Sequence, residues 1–460
     1  MWKPTSEALL HRFKIEVASV RTWLVLAAFI LSLGYAFTYQ IRLGVDAERY
    51  HTVASNLVTR GIFCETCDVP LAKDTAIHGV GPGYQFFLAG VYSVVGIHPW
   101  VMWVVQAFLH ACVVWMLYGL AKRFVPEAKP WQLGLAVGLY AFTPDVIQQQ
   151  AMLMTESLFV FLLVSVFTLA VTLIEEGEKR RRLLLAVACG IFFAALTMTR
   201  PTGLPVMVGF LGLLAWKRYW KEALIVLMCF VAVETPWTIR NLRVYDKFIM
   251  NSVVGGLDFW VGLDPYGPGE FNMDKLPHIY NKIKDLDADE LEYVSLAETK
   301  NIITTMPGHA VLRTVQKGFK LFALTKTSGF WFHYRSSVDQ LVTVLLSILF
   351  SLATLWAGFA AAFEVVRTRR VRHWGILAAL VVIALMAVSP TLTVVVNRYR
   401  IPMLPFFSLI ILDWLVHVRG RDRVRSLLFA AALLITTTMV DVWTSVPKIM
   451  ERIKELRLRA

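Results

Sequence analysis

The sequence predicts an all-α membrane protein that crosses the bilayer about eleven times, and three observations predict this class. Of its 460 residues, 57% are hydrophobic and 17% are charged, and the mean hydropathy is +0.58. Soluble domains carry more charge than this, typically about 25%. Apolar runs of about twenty residues, the length of a membrane-crossing helix, recur along the chain. Short basic segments separate many of these runs, as in loops on the cytoplasmic side of a membrane.

Eleven apolar runs are candidate membrane spans, with helix ends that vary by several residues. Every second connection between them is basic, so the N-terminus and these connections are predicted to share the cytoplasmic side. The first run is predicted to stay as an anchor, because no small-residue cleavage site follows it. A shorter run at 81–96 suits an interfacial or re-entrant helix better than a full crossing. The eleven runs are 23–40, 101–121, 131–147, 154–174, 183–198, 203–216, 222–237, 340–364, 374–390, 402–417 and 425–443.

This topology divides the chain into two transmembrane modules and one exterior segment. The N-terminal module, 1–237, contains a first exterior loop at 41–100, and the C-terminal module comprises 340–460. The exterior segment, 238–339, holds most of the sequence with soluble character. Its Gly/Pro-rich start and later helical pattern predict a small domain on the membrane. The C-terminal "KIMERIKELRLRA" is predicted to form an amphipathic helix on a membrane surface.

The formal net charge of +13 does not indicate a nucleic-acid partner. Lysine and arginine cluster between the spans, where membrane topology and anionic lipids account for them. The sequence also lacks a P-loop, a glycine-rich dinucleotide motif, a zinc-protease motif and a nucleophile elbow. Soluble-nucleotide chemistry is therefore unsupported, and membrane lipids are the expected surroundings.

The stretch "RLGVDAERYHTVA", residues 42–54, places an acid, a guanidinium and a phenol just after the first span. Asp46, Arg49 and Tyr50 would share one face of a helix, with Glu48 as a supporting acid. Ionisable groups at this depth are costly unless they are paired or functional. Three interpretations stay open: Asp46 caps the helix, it forms an ion pair with Arg49, or the group binds a polar headgroup.

Arginines also lie at other exterior ends of the predicted spans, against the positive-inside rule. Arginine binds phosphate in a bidentate geometry, so the set predicts a site for an anionic ligand at that face. Anchoring to lipid headgroups is the better explanation for any one of them alone, and the phosphate site is favoured only for the set. The predicted phosphate ligands are Arg200, Arg240, Arg398 and Arg400, with Arg243 nearby and Glu156 as a supporting or solvated acid.

The first exterior loop also contains a histidine and a pair of cysteines. His78 precedes a Gly-Pro-Gly turn, which brings backbone close to a ligand or to the membrane. One histidine is a weak metal signal, so no metal ligands are predicted, and a divalent metal cofactor stays open. Cys64 and Cys67 lie in an exterior, oxidising region where a local disulfide is expected. The remaining cysteines fall within spans and are interpreted as packing residues.

Several blocks, taken in their order along the chain, resemble the GT-C integral-membrane glycosyltransferases. The resemblance is to the protein O-mannosyltransferase group, which includes lipid A aminoarabinose transferases. The sequence departs from that group at Ala47, where an acid commonly follows the catalytic aspartate, and at "IHGVGPGY", where Glu-Lys-Pro is common. The blocks are "VDAERYHTVASNLVTRG", "TAIHGVGPGYQFFLAGVYSVVG", "FTPDVIQQQAMLMTESLFVFLL", "TRPTGLPV", "ETPWTIRNLRVYDKFI", "NSVVGGLDFWVG" and "NRYRIPMLPFFSLI".

The resemblance implies a GT-C fold and sugar transfer from a polyprenyl-phosphate carrier to a lipid, polysaccharide or protein acceptor. It implies a multi-pass protein of a bacterial inner membrane, with its active site facing the periplasm. By resemblance, Asp46 is the catalytic aspartate, and Arg49 and Tyr50 lie near the lipid phosphate. One base and one direct displacement would invert the anomeric carbon. A transporter or flippase of lipid-linked sugars and a non-catalytic scaffold are the alternatives, and the sugar and acceptor stay open.

Overall fold

The computed structural model describes residues 19–77, 81–252, 255–267, 269–270, 276–286, 288–326, 334–369 and 371–459, and His78 lies outside these ranges. The described residues form helices joined by short connections. The first nine are α1 (Val20–Tyr39), α2 (Val45–Arg60), α3 (Gly83–Val95), α4 (Pro99–Phe124), α5 (Pro130–Ala141), α6 (Pro144–Gln150), α7 (Thr155–Glu175), α8 (Lys179–Thr199) and α9 (Leu204–Trp216). The others are α10 (Trp220–Tyr245), α11 (Gly255–Leu263), α12 (Pro277–Ile283), α13 (Ala288–Thr305), α14 (Pro307–Leu321), α15 (Ser337–Thr368), α16 (Trp374–Leu392), α17 (Leu404–His417) and α18 (Gly420–Arg459).

Nine helices in the described part of the chain are long and apolar enough to cross a membrane. The predicted count of eleven is therefore not confirmed, because two predicted spans form shorter helices. The 131–147 run is divided at Phe142, before Pro144 starts a new helix, since proline lacks the amide that would continue the old one. The 203–216 run follows a 3₁₀ turn and forms a helix of 13 residues. The 81–96 run also forms a helix of 13 residues, short as predicted.

Contacts between helix ends place the basic connections together at one end of the bundle. Arg123, near the end of α4, donates a 2.8 Å hydrogen bond to Glu175 at the end of α7. His373, just before α16, lies 3.2 Å from the same carboxylate. We call this the basic end, comprising the described residues of the connections at 125–129, 176–178, 217–219, 369, 371–373 and 418–419. Glu156, at the start of α7, lies about 29 Å from Glu175 along the helix axis at 1.5 Å per residue. The residues around Glu156 form the opposite end of the bundle, which we call the Asp46 end.

The segment after α10 builds a hydrophobic cluster separate from the core of the bundle. Leu257 and Trp260 of α11 pack with Ile279 of α12 and Leu291 of α13 in this cluster. Val394, after α16, joins them and ties the cluster to the bundle. The span preceding this segment is longer than predicted, since α10 continues to Tyr245 with Pro236 inside the helix.

The C-terminal segment continues the last span as one helix. The backbone of α18 is helical over 40 residues, from Gly420 to Arg459. The predicted surface helix is therefore an extension of the span and does not begin as a separate element.

Candidate active site

Asp46 lies in the first turn of α2, and its side chain bonds a residue from the C-terminal half of the chain. Gly44 is the N-cap residue of α2, in extended backbone, so the interpretation of Asp46 as the helix cap is wrong. The Asp46 carboxylate instead accepts a 2.7 Å hydrogen bond from Arg398. The Asp46 side chain is 40% exposed, whereas its arginine partner is 16% exposed. The carboxylate is thus oriented by a largely buried cation and stays open to the surface.

Asp46 is the exposed end of a charge chain that runs into the protein. Arg398 Nε lies 3.0 Å from Glu156 Oε1, and Arg200 Nη1 lies 2.8 Å from the same oxygen. Glu156 is 1% exposed. A buried carboxylate is costly unless it is well paired, and here it has two guanidinium partners. We call Asp46, Arg398, Glu156 and Arg200 the four-residue charge chain. Its formal charge is zero.

Proline-interrupted helix ends aim the two arginines at Glu156. Arg200 precedes Pro201, and a residue before proline is disfavoured in the helical region. Its backbone is extended, with φ −150° and ψ 126°, so α8 ends and the side chain turns toward α7. Arg398 lies in the 3₁₀ segment Asn397–Met403, which leads into α17 and contains Pro402.

Aromatic side chains border the charge chain. Tyr50 is buried, and its ring packs edge-on against Tyr84 at a centroid distance of 5.5 Å. Burial raises the pKa of Tyr50, and the nearby Asp46 charge raises it further. Tyr50 is therefore a neutral phenol at physiological pH. The Arg200 guanidinium lies 5.0 Å from the centroid of the Tyr399 ring, which contributes a cation–π contact.

Arg49 forms an ion pair with an acid that the sequence analysis did not single out. Its Nε lies 3.0 Å from Glu65, which lies in the loop after α2. Glu65 lies between Cys64 and Cys67, which are joined by a disulfide. Asp74 accepts hydrogen bonds from the backbone amides of Glu65, Thr66 and Ala76, and so fixes the loop. Such a pairing depends on the folded loop and has no sequence signal of its own.

Arg240 is placed among aromatic rings and loop carbonyls. Its guanidinium lies 5.0 Å from the Trp237 ring centroid and within cation–π distance of Phe63 and Tyr245. It also donates to the Phe63 carbonyl oxygen at 3.3 Å. These contacts fasten the disulfide loop to α10. They connect Arg240 to the loop, and its predicted role as a phosphate ligand stays a prediction.

Arg400 points into the bundle, unlike its near neighbour Arg398. It is 2% exposed and donates to Ser351 of α15 at 2.9 Å and to the Ala323 carbonyl oxygen at 3.1 Å. Asp145, at the corner between α5 and α7, accepts a further hydrogen bond at 3.3 Å. These bonds join three parts of the chain and favour a structural role for Arg400. Glu48 and Arg243 are exposed, with no side-chain bond among the described residues.

Asp258 is a second acid near the charge chain, and no motif marked it. It is partly buried in α11, whose start is capped by Glu292, which accepts from the Gly256 amide at 3.1 Å. Burial raises the pKa of Asp258 to about 7; Arg200 opposes the shift, while Glu292 and Asp46 increase it. Asp258 therefore lies within electrostatic reach of both ends of the charge chain.

The Gly-Pro-Gly turn before α3 approaches protein backbone. A Cβ on Gly81 would lie 2.1 Å from the Met198 carbonyl oxygen, and one on Gly83 would lie 2.7 Å from the Thr199 nitrogen. The turn thus packs against the end of α8, directly before Arg200. Among the described residues, no group of three or more His, Cys, Asp or Glu side chains is arranged to hold a metal ion.

Solved structures align with nearly the whole chain, although no family model and no curated protein matches the sequence. The oligosaccharyltransferase AglB of Archaeoglobus fulgidus, solved with an inhibitory peptide and a dolichol-phosphate, aligns with a TM-score of 0.50 at 14% identity, over 92% of this chain and 56% of AglB. The apo form of the Archaeoglobus enzyme aligns with a TM-score of 0.51, also at 14% identity and over the same shares of both chains. ArnT from Cupriavidus metallidurans, bound to undecaprenyl phosphate, aligns with a TM-score of 0.40 at 13% identity, over 85% of this chain and 77% of ArnT.

The chain has the fold of the GT-C membrane glycosyltransferases. This GT-C fold confirms the fold class predicted from the ordered sequence blocks, and the protein is a multi-pass membrane protein. The chain spans only about half the length of the archaeal enzyme, 56% of that chain. At this level of identity the GT-C likeness describes the scaffold and does not extend to the chemistry.

Proposed function

We propose that the protein is an inverting glycosyltransferase that moves a sugar from a polyprenyl-phosphate carrier to an acceptor hydroxyl. Asp46 is the general base, and the reaction takes place at the Asp46 end of the bundle, facing the periplasm of a bacterial inner membrane. The observation that carries the proposal is the Asp46 carboxylate, 40% exposed and bonded to Arg398. An exposed, oriented acid at the end of a GT-C bundle lies where a lipid carrier meets water.

The proposed step is a direct displacement at the anomeric carbon. The acceptor oxygen attacks that carbon, the bond from carbon to phosphate oxygen breaks, and the polyprenyl phosphate leaves with the bonding electrons. Asp46 takes the proton of the acceptor hydroxyl. General-base catalysis of this kind contributes about a hundred- to ten-thousand-fold. One displacement without a covalent enzyme intermediate inverts the configuration of the sugar.

The leaving phosphate needs positive charge, and two arginines border Asp46 for this role. Arg398 already bonds Asp46, so a donor phosphate would compete with Asp46 for the same guanidinium and release a carboxylate oxygen for the proton. Arg49, one turn along α2, has a side chain that is 27% exposed and paired with Glu65. Oriented guanidiniums at a developing phosphate charge are usually the larger catalytic contribution. The dolichol-phosphate in the AglB structure supports a lipid phosphate as ligand for this fold.

The segment 238–339 is proposed to contribute to acceptor recognition, because it brings Asp258 near the charge chain and carries its own hydrophobic cluster. The acceptor is a lipid, a polysaccharide or a protein hydroxyl. A flippase would instead move the lipid-linked sugar through the bundle. The charge chain favours an enzyme over a flippase, because its charged side chains gather at one end of the bundle.

Transfer of a radiolabelled sugar tests the proposal, using purified protein, a panel of polyprenyl-phosphate sugars and candidate acceptors. Asp46→Asn should lower turnover by about a hundred- to ten-thousand-fold while the thermal unfolding midpoint stays close to that of the wild type. Glu48→Gln is the matched control, since Glu48 is an exposed acid in the same turn of α2. Near-normal turnover in Asp46→Asn would exclude Asp46 as the base. Movement of labelled lipid across vesicles without covalent transfer would identify a flippase.

A donor titration tests the phosphate contact separately. Arg49→Ala should raise the KM for the donor with little effect on acceptor KM, because it removes a cation next to the leaving phosphate. Arg60→Ala at the other end of α2, where Arg60 faces Asp68 at 3.6 Å, is the control. An unchanged donor KM in Arg49→Ala would count against this contact.

A further inference from the structure

A cavity lies at the basic end of the bundle, opposite the Asp46 end. Its volume is about 460 Å³, and it is formed between the start of α5 and the connection from α17 to α18. Three of its lining residues are the cations Lys129, Arg419 and Arg423, and Trp131 and Leu415 contribute an apolar wall. None of these residues takes part in the reaction proposed above.

The acid that lines the cavity already has partners of its own. Glu127 lies 2.6 Å from His417 Nε2 and 3.5 Å from Arg372. The other ring nitrogen of His417 lies 2.8 Å from Asp413. The hydrogen bond from His417 lowers the pKa of Glu127. Glu127 is thus already engaged by Arg372 and His417.

The three lining cations are not paired with carboxylates in the part of the chain that the structure describes. Within the described ranges, Lys129 and Arg419 are exposed and have no carboxylate at ion-pair distance. Arg423 is held in place by a 2.8 Å hydrogen bond to the Leu415 carbonyl oxygen and by stacking 5.0 Å from the Trp414 ring centroid. Its Nε is buried without a hydrogen-bond partner. The cavity therefore presents three positive charges, one of them rigidly oriented.

Exposed apolar side chains flank the cavity on the bundle surface. Trp131 is 59% exposed at the start of α5, and Leu135, one turn further, is 49% exposed. Val424 and Leu428 of α18 are 56% and 66% exposed. Tryptophan is enriched at the membrane–water interface, with aliphatic side chains facing the acyl chains beyond it. The cavity thus lies at headgroup depth, beside a surface suited to lipid tails.

We propose that this cavity binds the phosphate headgroup of an anionic membrane lipid at the cytoplasmic side. Lys129, Arg419 and Arg423 contact the phosphate, and Leu135 and Leu428 contact the acyl chains. Basic pockets between transmembrane helices are suited to such headgroups. The site is independent of the proposed sugar transfer, which takes place at the other end of the bundle.

Native mass spectrometry of the full-length protein, titrated with phosphatidylglycerol in a neutral detergent, tests the site. The double variant Lys129→Gln/Arg419→Gln should lose one tightly bound lipid, with affinity reduced about 25-fold, since each cation near an anionic surface contributes about fivefold. Arg423 is left intact in this variant, because its contacts with Trp414 and Leu415 support the fold.

The control variant is Lys122→Gln/Arg421→Gln, which has the same net charge and changes exposed cations of α4 and α18 that do not line the cavity. It should bind phosphatidylglycerol as the wild type does. Equal lipid binding in all three proteins would overturn the proposal. Glycerol phosphate at lipid-equivalent concentration should not displace the lipid; displacement would show that the cavity binds free phosphate and would overturn the lipid assignment.

Discussion

Arg398 donates a 2.7 Å hydrogen bond to Asp46 although 352 residues separate the two in sequence. The bond joins the start of α2 to the segment before α17, so the proposed base and its cation come from opposite ends of the chain. Glu156 extends the contact inward, at 3.0 Å from Arg398. The position of the Asp46 carboxylate therefore depends on the correct packing of three helices. A mutation in any of them should change the geometry of this site.

Glu156→Gln should destabilise the protein strongly. It leaves Arg200 and Arg398 buried beside a neutral amide, and breaking a buried ion pair costs about 3–5 kcal/mol. A large fall in the thermal unfolding midpoint in detergent is the expected result. Glu48→Gln, at an exposed acid, should leave the midpoint unchanged. A wild-type midpoint for Glu156→Gln would show that the charge chain contributes little to the fold.

Gly81→Ala should disturb the end of α8 and, through it, Arg200. The added methyl group would lie 2.1 Å from the Met198 carbonyl oxygen, so the backbone has to move, at a cost of about 1–3 kcal/mol. Gly90→Ala, in the short helix α3 that follows the turn, is the matched control, because no atom lies within 4 Å of its added methyl group. That control should be neutral or stabilising by up to about 1 kcal/mol. Equal unfolding midpoints for both variants would refute the close approach.

Arg240→Gln distinguishes the structural role from the predicted phosphate role. Loss of the aromatic and carbonyl contacts should cost about 1–3 kcal/mol and increase proteolysis of the disulfide loop. Arg243→Gln, an exposed cation three residues on, should change neither property. A variant with unchanged stability and a raised donor KM would support the phosphate role instead.

Asp258 should make stability depend on pH. Its pKa in the folded protein, about 7, is above the usual value for an aspartate, so between about pH 4 and 7 the folded state holds a proton that the unfolded state has lost. The free energy of unfolding contributed by this group should therefore decrease as the pH rises through that interval. Asp258→Asn should flatten the dependence, measured as unfolding midpoint against pH.

Asp285→Asn, at an exposed aspartate of the same exterior segment, should retain the wild-type slope. Identical slopes for Asp258→Asn and the wild type would remove Asp258 as the source of the pH dependence.

The fold was largely predictable because the physical rules behind it are local. Apolar length sets the spans, and charge beside them sets the ends that lie together, as Arg123 and Glu175 illustrate. The division of the 131–147 run was harder to predict, because a proline at 144 divides a segment whose hydropathy alone suggests one helix. Asp46 was singled out by its position after the first span and by the family resemblance, and its catalytic role stays a prediction.

The ion-pair partners of the charged side chains were not predictable in the same way. Arg49 and Glu65 meet only once the disulfide loop folds back, and Arg398 and Arg400, two residues apart, face Asp46 and Asp145 respectively. No periodic pattern distinguishes two arginines in one 3₁₀ segment.

By itself, then, the sequence determined the membrane class, the helical fold and the basic end, since composition and spacing act over one or two helix turns. Tertiary structure alone decided which cation orients the Asp46 carboxylate, which arginines serve the fold, and that Asp258 lies near the site. Those outcomes depend on the burial and pairing of charges far apart in the chain, where desolvation makes one partner favourable and another costly.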